Sequence, residues 1–95
     1  MEITKTEAGL SLKGRLDTVT APKLHETLAE VISSRETFTL DFAGVDYVSS
    51  AGLRVLLQGQ KNAQGLGKSM VLENVSPEVM EVFDVTGFSG ILAIQ

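Results

Sequence analysis

The sequence predicts an α/β fold: a mixed β-sheet of four to five strands covered by about three to four helices, in a single domain over residues 1–95. Three observations carry that expectation. The hydrophobic spacing switches repeatedly between period 2 and period 3.6, as it does when strands alternate with helices. The first two strand-like runs are separated only by Glu7-Ala8-Gly9, a length that suits a hairpin, so an antiparallel pair opens a sheet that parallel crossovers continue. A chain of 95 residues can also bury roughly 64% of its surface, enough for one core.

Each element follows from its own pattern. Ile3 and its neighbours form a short first strand. Leu10, Leu12, Gly14 and Leu16 share one parity and Ser11, Lys13 and Arg15 the other, so 9–16 is a half-buried strand. Thr20 stands as N-cap of the first helix, with Pro22 in the first turn, where amide donors are free anyway. Leu24, Leu28, Val31 and Ile32 fall at i, i+4, i+7 and i+8, one helical stripe, and Ser33-Ser34-Arg35 ends it. Phe38, Leu40 and Phe42 alternate with polar residues, giving a strand over 37–43 that Gly44 breaks. A second helix spans 51–64. Leu53, Leu56, Leu57 and Ala63 fall on or near one stripe and Arg54, Gln58 and Lys61 share another, with Ser50 or Ser49 at the N-cap. Gly65-Leu66-Gly67 stops it, and Met70-Val71-Leu72 reads as a short buried strand. Ser76-Pro77-Glu78 combines a cap hydroxyl, a proline at N1 and an acid near the positive helix end. Val79, Val82, Phe83 and Thr86 form the inner stripe of this third helix, and Gly87 suits its left-handed C′ position. Ile91 to Ile94 is a last short strand. The order is β-β-α-β-α-β-α-β.

Composition excludes several kinds of chemistry. Without cysteine there is no disulfide, zinc-thiolate site or cysteine nucleophile. His25 is the only imidazole and falls at the edge of the first helix's buried stripe, so a metal site would need carboxylates for nearly all its ligands. Gly67-Lys68-Ser69 has the ending of a P-loop, but the required earlier glycine falls at Asn62, and these glycines close a helix instead of opening one. Gly65-Leu66-Gly67 is no dinucleotide fingerprint either, since Met70 stands where the third glycine belongs. The expectation is a binding module with no enzymatic activity, cofactor or metal.

Twelve acids against eight bases give a net charge of −4. Residues 73–95 contain Glu73, Glu78, Glu81 and Asp84 and no lysine or arginine. That balance disfavours nucleic acid and anionic lipid as partners. The start MEITKTEAG has no apolar h-region and no run approaches 18 apolar residues, so neither a signal peptide nor membrane insertion is expected, and the absence of cysteine is compatible with the expected cytoplasmic location. No long exposed apolar stripe is evident, which fits a monomer when free.

The informative segment runs from Asp41 to Leu57. A strand ends, a loop brings two acids and two hydroxyls together, and a helix begins. The unpaired amides and positive dipole of a helix start can be capped by a serine, and they tolerate the charge of a phosphoserine. Gly52 in the first turn removes a Cβ where a partner backbone could come close.

Together with Gly14-Arg15-Leu16-Asp17 and Thr20-Ala21-Pro22, the run Val45-Asp46-Tyr47-Val48-Ser49-Ser50-Ala51-Gly52-Leu53 resembles the STAS domain of bacterial anti-sigma factor antagonists. The likeness covers essentially the whole chain, and the element order agrees. It implies a partner-switching role: the unphosphorylated antagonist binds an anti-sigma factor that is also a serine kinase and so frees the sigma factor. The kinase then phosphorylates a serine at the start of the second helix, and a serine phosphatase resets it. In the family motif the acceptor directly precedes the glycine, where this chain has Ala51. Ser50 is the first choice of acceptor and Ser49 the second. Asp17, Asp46 and Gly52 would surround the phosphosite, and Ala51, Arg54, Gln58 and Lys61 would contact the partner. A phosphate adds about −1.5 to −2 charges beside these acids. Like-charge contact at an interface costs several kcal/mol, against about 5.5 kcal/mol for a switch from 99:1 to 1:99. The resemblance leaves one alternative in the binding class, a non-phosphorylated accessory subunit of a lipid-transport ABC complex.

Overall fold

The computed structural model describes residues 1–95. The elements are β1 (Glu2–Lys5), β2 (Gly9–Leu16), α1 (Ala21–Ser34), β3 (Thr37–Val48), α2 (Ser50–Gly65), β4 (Ser69–Glu73) and α3 (Pro77–Thr86), followed by a 3-10 turn at Phe88–Gly90. The sheet order is β1-β2-β3-β4. β1 pairs antiparallel with β2, and both β2–β3 and β3–β4 are parallel. The mixed sheet expected from the opening hairpin is therefore present, with four strands and three helices.

Both crossovers step across the sheet in the same direction. Right-handed connections consequently place α1 and α2 side by side on one face. That face receives Leu10, Leu12 and Leu16 from β2, Phe38, Leu40 and Phe42 from β3, and Met70 and Leu72 from β4, all buried. Helix α1 contributes the expected Leu24, Leu28, Val31 and Ile32, and α2 contributes Leu53, Leu56 and Ala63. Phe83 of α3 meets Phe42 edge-on at a ring separation of 6.3 Å, which closes the far end of a cluster of 22 buried residues. The other face of the sheet carries Ser11, Lys13, Thr37, Thr39 and Asp41, none of them buried.

Three expectations are corrected. Gly44 does not end the third strand, which continues to Val48. At Gly44 a Cβ would lie 3.0 Å from the Leu12 carbonyl oxygen and 3.1 Å from Lys13, so the glycine lets β3 cross an irregularity in its pairing with β2. The buried positions then fall at Phe42, Val45 and Val48, a spacing of three that hides the strand from a period-2 reading. The last strand at 91–94 shrinks to one bridge between Leu72 and Ile94, because the chain turns through Phe88–Gly90 and reaches β4 only at its end. Thr86 is exposed, its hydroxyl donating to the Val82 carbonyl at 2.7 Å, while Val79 and Phe83 hold the inner face of α3.

Phe83→Ala is expected to cost about 3–5 kcal/mol, since it removes a fully buried ring and leaves a cavity beside Phe42. Val85→Ala, two residues on and 81% exposed, is expected to change stability by under about 0.5 kcal/mol. Urea unfolding of both variants checks the pair.

Candidate functional site

The carboxyl ends of the parallel strands β2 and β3 lie together at one end of the sheet, where ligands and partners of open α/β sheets commonly meet the fold. Two connections emerge there, residues 17–20 into α1 and Ser49 into α2.

The first is built around Asp17. Its Oδ1 accepts from the Val19 amide at 3.0 Å and the Thr20 amide at 3.1 Å. Thr20 Oγ1 accepts from the Asp17 amide at 2.9 Å and donates to the Arg15 carbonyl at 2.7 Å. Thr20 thus holds the position expected of an N-cap, but its side chain makes no cap bond to the helix. Asp17, three residues earlier, orders the turn instead: its carboxylate takes the loop amides of Val19 and Thr20, and its main-chain carbonyl accepts from the Ala21 amide at 2.8 Å. The Thr20 amide, more than the other contacts, holds the Asp17 carboxyl below its ordinary pKa, helped by Val19, the Thr20 hydroxyl and Arg15 and opposed by partial desolvation. This loop leaves Val19 85% exposed.

The second connection is the start of α2. Ser49 is the N-cap, its Oγ accepting from the Gly52 amide at 3.3 Å. Its own amide donates to the Leu16 carbonyl at 2.8 Å, which ties the helix start to the end of β2. Ser50 occupies the first helical position, is exposed, and has a hydroxyl free of hydrogen bonds within the chain. Gly52 is buried, and a Cβ there would lie 2.6 Å from Leu16 Cγ and 2.9 Å from the Leu16 carbonyl oxygen. The sequence reading reserved this space for a partner backbone. The space is instead filled by β2, so Gly52 is a packing glycine.

The remaining expected residues divide by exposure. Arg54, Gln58 and Lys61 are exposed along one flank of α2, Ala51 is half-buried, and Asp46 is exposed near the end of β3. The structure adds Arg15 and Tyr47, which sequence reasoning missed. They are register partners on β2 and β3, with the guanidinium 4.0 Å from the ring centroid and 3.6 Å from Asp17 Oδ2. No spacing in one sequence reveals this pair, because irregular register brings them together. An apolar Val19 in a polar loop was the one available hint of an exposed contact point. No group of three or more histidine, cysteine or acidic side chains is gathered in a metal-binding arrangement, and no helix is long and apolar enough to cross a membrane.

A mixed sheet with helices on one face and a serine-bearing helix start beside an ordered loop defines a class of α/β domain, and comparison places the chain within it. The STAS family model described as "Mlab, STAS domain" matches residues 1–93. The chain belongs to the STAS domain family. It is 36% identical over 84 residues to BtrV of Bordetella bronchiseptica, covering 87% of this chain and 72% of that one. It is 31% identical over 86 residues to the anti-sigma-B factor antagonist of Bacillus subtilis, covering 90% and 79%. The fold is shared with the anti-sigma factor antagonist SpoIIAA in its unphosphorylated form, with a TM-score of 0.79 at 18% identity over 99% of this chain and 86% of that one.

Ser49→Ala is expected to cost about 0.5–2 kcal/mol of stability through the lost cap, whereas Ser50→Ala should stay within about 0.5 kcal/mol. Gly52→Ala should cost about 1–3 kcal/mol, because its methyl group meets Leu16. Denaturant titrations of the three variants rank them. A pH series tests Asp17. Its folded-state pKa is depressed, so its contribution is present above the unfolded value of about 3.9 and is lost as pH falls through the folded value. The unfolding midpoint should fall below about pH 4, and less steeply in Asp17→Asn.

Proposed function

We propose that this chain is an anti-sigma factor antagonist of the partner-switching type. In its unmodified form it binds an anti-sigma factor serine kinase and so frees a sigma factor. Phosphorylation of Ser50 ends the complex, and a serine phosphatase restores it. The setting is cytoplasmic, and the role is binding with no catalysis by this chain. The observation that carries the reading is the division of labour between the two serines. Ser49 is engaged in capping α2, while the Ser50 hydroxyl is exposed and unbonded on the first turn. Ser50 can therefore be modified without removing a cap, and the positive helix end accepts the added charge. Asp17 and Asp46 supply like charge near the end of the sheet, so a phosphate deepens a negative field against the partner. Arg54, Gln58 and Lys61, with Ala51 at their head, form the contact flank of α2 in this reading. The curated relative from Bacillus subtilis is named for the same role.

A second reading is an accessory subunit of a lipid-transport ABC complex that works without phosphorylation. Ala51, standing directly before Gly52, and the Mlab description of the matching family model favour it.

Calorimetric titration of the cognate anti-sigma factor decides between them. Tight binding by wild type and Ser50→Ala, with a loss of about 100-fold or more in Ser50→Glu, is the expected result. Equal binding by wild type and Ser50→Glu rejects the switch.

A further inference from the structure

Helices α1 and α2 connect successive parallel strands and so run parallel to one another. The crevice between them opens into two hollows. The first, about 300 Å³, lies between the N-terminal halves and is lined by Pro22, His25, Ala51, Arg54 and Gln58 among others. The second, about 490 Å³, lies between the C-terminal halves and is lined by Ala29, Ile32, Lys61, Gly65 and Leu66 among others. Neither lining contains an aspartate or glutamate. Helix α2 has no acid in its 16 residues, although the chain as a whole carries −4. Of the two acids of α1, Glu30 is drawn away to pair with Lys5 at 3.0 Å, and Glu26 lines neither hollow. The crevice is thus an apolar-floored, basic strip on an acidic protein. From Pro22 to Ser33 it runs roughly 17 Å, three turns of an α-helix.

We propose that this crevice seats an amphipathic helix of the protein partner, about three turns long, whose inward face combines apolar side chains with carboxylates. The apolar side chains pack against Ala29, Ile32 and Leu66, which is itself 63% exposed. The carboxylates face Arg54 and Lys61. The inference rests on the reading of α2 as the partner-facing helix, and it adds which element of the partner is gripped. It also gives the switch a local cause. Ala51 lines the first hollow and Ser50 adjoins it, so a phosphate there repels the very charge that the crevice selects.

The test uses a fluorescent amphipathic peptide of about 14 residues, with glutamate and leucine on one face, and a counterpart with lysine in place of glutamate. Fluorescence anisotropy and amide chemical shifts are read on the wild-type chain and on the double variant Arg54→Glu/Lys61→Glu. The acidic peptide is expected to bind wild type with Kd below about 1 mM and to lose about tenfold on the variant. The lysine peptide should prefer the variant, and the shifts should follow residues 21–33 and 51–66. Absence of binding, equal binding to both chains, or shifts elsewhere overturns the proposal. A second copy is the rival occupant, because Glu78, Glu81, Val82 and Val85 make an exposed acidic-apolar strip on α3. Reversible self-association in sedimentation that is lost in Glu81→Lys would assign the crevice to that copy and overturn the proposal. Loss of peptide binding while Ser50→Glu still releases the kinase rejects the crevice alone. Peptide binding that persists when Ser50→Glu releases nothing rejects the phosphoswitch alone.

Discussion

The contact between Gly52 and Leu16 is the constraint on which the site depends. It brings the first turn of α2 within van der Waals range of the end of β2, and the Ser49 amide fixes it with a bond to the Leu16 carbonyl. Three consequences follow from one missing Cβ. The helix axis is set against the sheet, Ser49 is placed to cap, and Ser50 is pushed outward on the first turn. The same approach holds the α2 start beside the Asp17 loop, whose amides are consumed by the Asp17 carboxylate. The site is therefore preorganised: the Asp17 carboxylate and the Ser49 hydroxyl hold the loop and the helix start in place, and the surface it offers is made largely of side chains on regular elements.

Much of the fold was legible because one face of the sheet is covered and the other is not. That asymmetry writes strict alternation into Leu10–Leu12 and Phe38–Leu40–Phe42, and a clean stripe into Leu24–Leu28–Val31–Ile32. Legibility failed where geometry departs from the regular periods. The far half of β3 was missed because its register slips beside Gly44. The last strand was overcalled because apolar Ile91–Ile94 reads as a run, yet only Ile94 reaches β4, and Ile91 is half-exposed. Placing the cap on Thr20 was reasonable by residue type. Thr20 keeps that position, but its hydroxyl is turned back to the Asp17 amide and the Arg15 carbonyl and makes no bond to the helix.

At the site, sequence located the helix start and the flank of Arg54, Gln58 and Lys61, since both follow from a 3.6-residue spacing. It could not apportion Ser49 and Ser50, which differ only in where the first helical turn begins. Nor could it find Arg15 stacked on Tyr47, a pairing created by strand register. The role foreseen for Gly52 inverted for the same reason: proximity to Leu16 is a tertiary fact. Charge was readable by stretch of chain, as the acidic run 73–95 shows, but not by surface. The structure adds that the acid-free α2 lines a crevice with α1 in which no aspartate or glutamate takes part.

The central claim is that the exposed Ser50 hydroxyl, and not the capping Ser49, is the group that is modified. Tandem mass spectrometry of the protein purified from its own cells, in growing and in stressed cultures, tests it most directly. The account predicts a phosphate on Ser50 whose occupancy changes between the two states, with Ser49 unmodified. A phosphate on Ser49 or elsewhere, or none in either state, would contradict it.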